Sequence, residues 1–449
     1  MTPVRRSAIS LAASAVLGMA IASAAAPAAI AAPSPTPSTV LPSGLYGTGD
    51  PTYDGVWRAA PAAVAAPSPT PSTVLPSGLY GTGDPTYDGV WRQSLALLAQ
   101  DTVGVKPAAK AVTWLTGQQC DSGGFPSYRA DAAKACDAKL PLDSNATAAA
   151  VQALAALGGQ DATVKKTAGW LKSVQNADGG WSYNPGGASD ANSTSIVIGA
   201  LAAAGEKPET VKSKGGKTPY DALLTFAKPC GGKDGGAFVF QLKSPGMVAD
   251  STAAAVLGAH GKGLAVTAGA KDAKGTVCEK ATTVEGAAHN GAAYLATALA
   301  KTGHLNTAPM PGAADPTEKP DFGNTADAIV ALSAQGLGDR AKKPMEWLQQ
   351  NSAAWAKASG PAAYAQLILA AHATGADPKS FGGTDLVAGL NATGPAPEST
   401  TGQSAPTADK KKDSESDSGI GVWWIVGVFF VASVGAGILL SGRKKNQQR

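Results

Sequence analysis

The chain has 449 residues, with 54 Gly, 31 Pro, about 90 Ala and a formal net charge of +4. Charged residues make up 16% and aromatics 6%, which argues against a nucleic-acid binder working through a basic face. Gly has no three-residue period, so collagen is excluded, and the 44% apolar content excludes wholesale disorder.

The N-terminus predicts a secretory signal peptide over residues 1–31. Arg5 and Arg6 form a basic start, Ile9 to Ile21 an apolar stretch too short for a permanent span, and Ala29-Ile30-Ala31 a small-x-small cleavage site. Residues 32–76 are rich in Pro and Ala and contain a tandem duplication. Ala25 to Arg58 and Ala59 to Arg92 are one 34-residue unit that differs only at Ile30 and Val64. The second copy runs straight into the helical QSLALLAQ, so Tyr80, Tyr87 and Trp91 are expected to pack at the start of the folded domain. The first copy has no place left in that domain.

Residues 77–390 are expected to form the domain. Two classes of helix alternate from Gln93 to Leu390. One class opens on a small polar residue and continues in Ala, Val and Leu, starting at Asp143, Asp190, Asp250, His289 and Gly323. Polar starters accept hydrogen bonds from free backbone N–H groups, and Ala-rich faces let helices approach closely. These are expected to be buried inner helices. The other class carries an aromatic, starts at Trp114, Trp170, Phe226 and Trp347, and is expected to lie outside. Trp114 to Trp170 and Trp170 to Phe226 are both 56 residues apart, the length of one outer plus one inner helix with their loops. At about 50 residues a pair, the domain holds about six pairs, and a closed double ring is preferred to an open superhelix because it leaves no apolar end exposed.

Trp170-Leu171, Gln175 and Asp178-Gly179-Gly180-Trp181 form one motif. Trp114-Leu115, Gln119, Asp121 and Gly123-Gly124-Phe125 are a weaker copy of it. The pattern resembles the Q-W repeat of the squalene cyclase and protein prenyltransferase superfamily. That resemblance implies an all-α fold, an α/α toroid of about six helix pairs, which complement thioester domains and the cobalamin carriers also use. The superfamily's reactive motifs are missing. There is no D-x-D-D run for a class II cyclase. Asp250 is followed by Ser251 and Thr252 where a prenyltransferase would place its zinc-binding Cys, and Cys230-Gly231-Gly232-Lys233 lacks the thioester pattern G-C-G-E-Q. The four His residues, His260, His289, His304 and His372, have no metal spacing, so no metal is expected.

In a toroid the inner helix starts share a rim with the Gly-Gly-aromatic loops. Asp143, Asn145, Asp190, Asn192, Asp250, Asn290 and Asn324 should therefore meet Phe125, Tyr128, Tyr183 and Phe238 there, a candidate ligand seat. The bland readings are helix capping for Asp143, Asp190 and Asp250, a solvent-turned face for Asp327, and loop plugging for Trp181. Cys120, Cys136, Cys230 and Cys278 suit disulfides in a secreted chain, with three pairings open; the pairs closest in sequence are Cys120 with Cys136 and Cys230 with Cys278.

Residues 391–418 read as a flexible stalk. Residues 419–440 contain no charge and are long enough to cross a membrane, and the basic tail 441–449 is expected in the cytoplasm. The whole reads as a single-pass cell-membrane protein with an extracellular body. It is expected to bind a small molecule, corrinoid-like by analogy with the carriers, with no resident cofactor, and to deliver it to a transporter component. The alternatives are a cyclase-like or hydrolytic enzyme with an unrecognised site, and a protein-docking scaffold.

Overall fold

The computed structural model describes residues 76–244, 246–307 and 317–398. The expected signal peptide, first repeat copy, membrane span and basic tail lie outside the described residues. Among the described residues no helix is long and apolar enough to cross a membrane.

Six helices form the inner ring: α1 (Gly89–Thr102), α3 (Ser144–Leu157), α5 (Ala191–Ala203), α7 (Val248–Ala259), α9 (Phe322–Ala334) and α12 (Pro361–Thr374). Each packs on the next, and α12 packs back on α1, so the ring closes. The partner of each lies outside: α2 (Ala109–Gly117), α4 (Asp161–Ser173), α6 (Pro219–Thr225), α8 (Val284–Ala300), α10 (Gly338–Asn351) and α13 (Leu386–Asn391). The short α11 (Ala353–Ser359) links the fifth pair to the sixth. The expected α/α toroid of six pairs is the fold that forms.

Composition explains the layering. The inner helices are buried on nearly every side, α3 and α5 from their first residue to beyond their middle. Small residues set the spacing between neighbours: a Cβ on Gly258 of α7 would lie 2.8 Å from Ser195 of α5. Outer α4 instead buries Val164, Thr167, Ala168, Trp170 and Leu171 and turns its lysines to solvent.

Three expectations are corrected. The helix around His289 is outer, not inner: α8 touches α6 and α10, and a long segment before it covers its outer face, which is why its composition reads as buried. Two short antiparallel strands, β1 (Leu305–Thr307) and β2 (Lys319–Asp321), lead into α9 where no strand was expected. Residues 391–398, expected as stalk, pack on the body. The Thr393 carbonyl accepts from Gly81 N–H at 2.8 Å, and Glu398 N–H donates to the Lys106 carbonyl at 3.0 Å. This strap covers the seam where the last pair meets the first.

The start of the domain is as the sequence suggests for Tyr80 and Trp91, which are buried, whereas Tyr87 is 56% exposed. Tyr80 Oη bonds Gln100 at 3.0 Å and the Pro395 carbonyl at 3.3 Å, tying the first helix to the strap. Both nearest-neighbour disulfides form, Cys120–Cys136 and Cys230–Cys278.

Candidate functional site at the mouth of the ring

A repeated lock fixes where five of the six inner helices start. The N–H groups of Phe125, Trp181, Phe238 and Leu305 donate to the hydroxyls of Thr147, Thr194, Thr252 and Thr325, at 2.9, 3.1, 3.0 and 3.0 Å. Each Thr sits in the first turns of α3, α5, α7 or α9, and in α1 Gln93 Oε1 takes the same role for Tyr80 N–H at 2.8 Å. The Gly-Gly turns make this approach feasible: a Cβ on Gly180 would lie 2.9 Å from Thr194 Oγ1, the lock hydroxyl, and Gly179 has φ +94°.

Residues 91–241 match the family model described as the prenyltransferase alpha-alpha toroid domain. The match spans the first three helix pairs, and the closed double ring of the described helices has the same alpha-alpha toroid architecture. No curated protein matches the chain.

The locks put the inner helices of the toroid in one register. Two residues before each lock residue stand Trp91, Asn145, Asn192, Asp250 and Gly323. Two residues after it stand Leu95, Ala149, Ile196, Ala254 and Asp327. Of these, Trp91, Leu95 and Asp327 line the bore, together with Val330, Gln366 and Leu369.

The mouth gathers most of the expected polar residues. Asp143 caps α3, accepting from the Asn145 and Ala146 N–H groups at 2.8 and 2.9 Å, and takes further bonds from Ser127 and Tyr183. Burial pushes its carboxyl above the ordinary carboxylate range despite these bonds. Burial and the Asp143 charge also raise the Tyr183 hydroxyl. Asp190 caps α5 through Ser193 N–H at 2.7 Å, and burial pushes it up to about 7. Asn324 is held by Asp321, which caps α9.

Asp250 departs from the capping expectation. It lies within the first turn of α7, caps nothing, and bonds Asn192 Nδ2 of α5 at 2.6 Å. Burial raises its carboxyl well above the usual range, and the charges of Asp327, Asp321 and Asp190 push the same way. Asp327 is also not solvent-turned: it is 6% exposed, on the bore, and accepts from Gln366 Nε2 of α12 at 3.2 Å.

The aromatics divide differently. Phe125, Trp181 and Phe238 are fully buried, and Trp181 Nε1 donates to the Leu171 carbonyl at 2.7 Å. They plug the loops behind the mouth, as expected for Trp181 but not for Phe125 and Phe238. Tyr128 stacks on Trp114 with centroids 6.4 Å apart. Asn290 is outside the group because α8 is outer; its amide clamps both the N–H and the carbonyl of Glu279.

The bore itself is nearly filled. Between α1, α9 and α12 it leaves about 10 Å³, at the limit for a single water. Its far end is stopped by the segment after α7: Leu264 lines the cavity, its N–H donates to Gln152 Oε1 of α3 at 2.7 Å, and Gly269 N–H reaches the Ser333 carbonyl of α9 at 2.8 Å. Sequence reasoning missed Trp91, Gln366 and the inward turn of Asp327. The Tyr80-to-Gln93 spacing of 13, equal to the Trp181-to-Thr194 spacing, was the available signal for Trp91.

The superfamily's zinc chemistry has no counterpart at α7, where Thr252 serves the lock to Phe238. Among the described residues no group of three or more His, Cys, Asp or Glu is placed to hold a metal ion.

Proposed function

We propose that the protein captures a small polar ligand at the mouth of the toroid, outside the cell and tethered to the membrane, for delivery to a transporter component. One observation carries the reading. Ser144 Oγ, Asn145 Oδ1, Asp250 Oδ1, Ser251 Oγ and Asn324 Oδ1, on the first turns of α3, α7 and α9, are buried and have no hydrogen-bond partner among the described residues. Buried polar atoms are nearly always satisfied, so a cluster of them at one rim fits a seat completed by water or ligand. The bore is too small to admit a molecule of corrinoid size, so a corrinoid would cap the mouth.

The test is to purify the full chain from its native host and examine it by absorbance and native mass spectrometry, followed by thermal shift with a corrinoid series. A co-purifying small molecule supports capture, and a corrinoid shift supports the carrier form. A mass equal to the bare polypeptide, with no shift from any corrinoid, overturns the carrier reading.

A Brønsted-acid enzyme is the second reading, favoured by the raised Asp250 carboxyl. It has the acid, but the bore between α1, α9 and α12 leaves only about 10 Å³, far too little for a polyprenyl chain.

A further inference from the structure

Residues 77–84 precede the first helix and lie in a seat built by groups outside that segment. Gln93 Oε1 accepts from Tyr80 N–H at 2.8 Å, and Gln93 Nε2 donates to the Gly78 carbonyl at 2.9 Å. Arg92 donates to the Tyr80 and Gly83 carbonyls, each at 2.9 Å. The Tyr80 hydroxyl reaches Gln100 Oε1 at 3.0 Å and the Pro395 carbonyl at 3.3 Å, and Gly81 N–H donates to the Thr393 carbonyl at 2.8 Å. The Tyr80 ring is fully buried. Gly78 lies so close to α2 that a Cβ there would strike the Lys110 carbonyl oxygen.

Residues 43–50, in the first copy of the duplicated unit, have the identical sequence Ser-Gly-Leu-Tyr-Gly-Thr-Gly-Asp. All the groups that form the seat lie outside both segments, so the same bonds are open to either. We propose that the seat is exchangeable: residues 43–50 take it in place of 77–84 of the same molecule, and the displaced copy leaves as a loop ahead of α1. Chain length decides the balance. In the structure four residues, 85–88, join the seated segment to α1, and after exchange the connection is 38 residues, 51–88. Loop closure disfavours the longer connection by about the three-halves power of the length ratio, roughly thirtyfold. Residues 77–84 therefore hold the seat in most molecules, and the first copy replaces them once they are weakened by more than that margin.

Folding constants of the full chain in detergent, measured by chemical denaturation, test the exchange. Tyr80→Ala empties a buried aromatic site, a loss of about a few hundredfold or more on its own, and Gly78→Val adds a clash with α2. With both changes in the second copy the loss should stop near about thirtyfold, because residues 43–50 take the seat. Adding Gly44→Val and Tyr46→Ala should lower the constant at least about tenfold further, whereas those two changes alone should leave the wild-type value. Equal constants for the second-copy variant and the variant changed in both copies overturn the exchange. So does a second-copy variant that does not fold, or a mature protein whose mass lacks residues 43–50. A second-copy variant that folds only as a dimer, by native mass spectrometry, overturns exchange within one molecule.

Discussion

At the scale of single residues, the mouth trades stability for buried carboxyl groups. An unfolded Asp titrates near 4, whereas Asp190 is held at about 7 by burial. Between those values the folded protein binds more protons than the unfolded chain, so Asp190 makes stability fall as pH rises through that window, and the loss is complete above it. The scale is roughly 4 kcal/mol for a shift of that size. Asp190→Asn keeps an N-cap side chain but removes the ionisation. The variant should melt with the wild type near pH 4 and above it near pH 8; equal melting temperatures at both would show that the carboxyl is solvated. The raised Asp143 and Asp250 act in the same direction. The sequence identified Asp143 and Asp190 as caps because a helix start is local. It misread Asp250 and Asp327 because their surroundings come from helices far away in the chain.

At the scale of elements, the lock between each aromatic loop and the next helix sets the register on which the mouth depends. Thr194→Val keeps the shape but leaves the Trp181 N–H buried without an acceptor, a cost of about 1–3 kcal/mol. Thr194→Ser should recover most of it. Chemical denaturation of both variants checks this, and a Val variant as stable as the wild type would show that the loop is held by Trp181 packing alone. The helix pairs were legible from alternating composition, and that rule found four of the six inner helices, α3, α5, α7 and α9, but not α1 or α12. Composition failed at α8, where the chain before it packs on His289 and Asn290: His289 bonds Asp272 Oδ2 and the Val277 carbonyl, and Asn290 bonds Glu279. A helix buried by loops has the same Ala-rich pattern as one buried by helices. The amphipathic rule thus reports burial and does not say which layer supplies it.

At the scale of the whole molecule, the ring closes where α12 packs on α1, and the strap 393–398 covers that seam. A chain ended after Glu398 should melt like the full protein. One ended after Asn391 should lose stability and exchange amide hydrogens faster in α1 and α12, because Gly81 N–H and the Tyr80 hydroxyl lose partners. Unchanged exchange in those helices would mean that the inner ring alone holds the seam. Closure was readable from the sequence as the arrangement with no exposed apolar end, but the strap was not, since Ala-Pro-rich chain has no periodicity to reveal packing. The stopper formed by Leu264 has a consequence for traffic. A well that is blind at its far end loads and empties through the same opening, so cargo cannot be passed along the axis from one partner to another. Under the proposed capture function, whatever takes the ligand must approach the face through which it entered, and donor and receiver cannot occupy that face together.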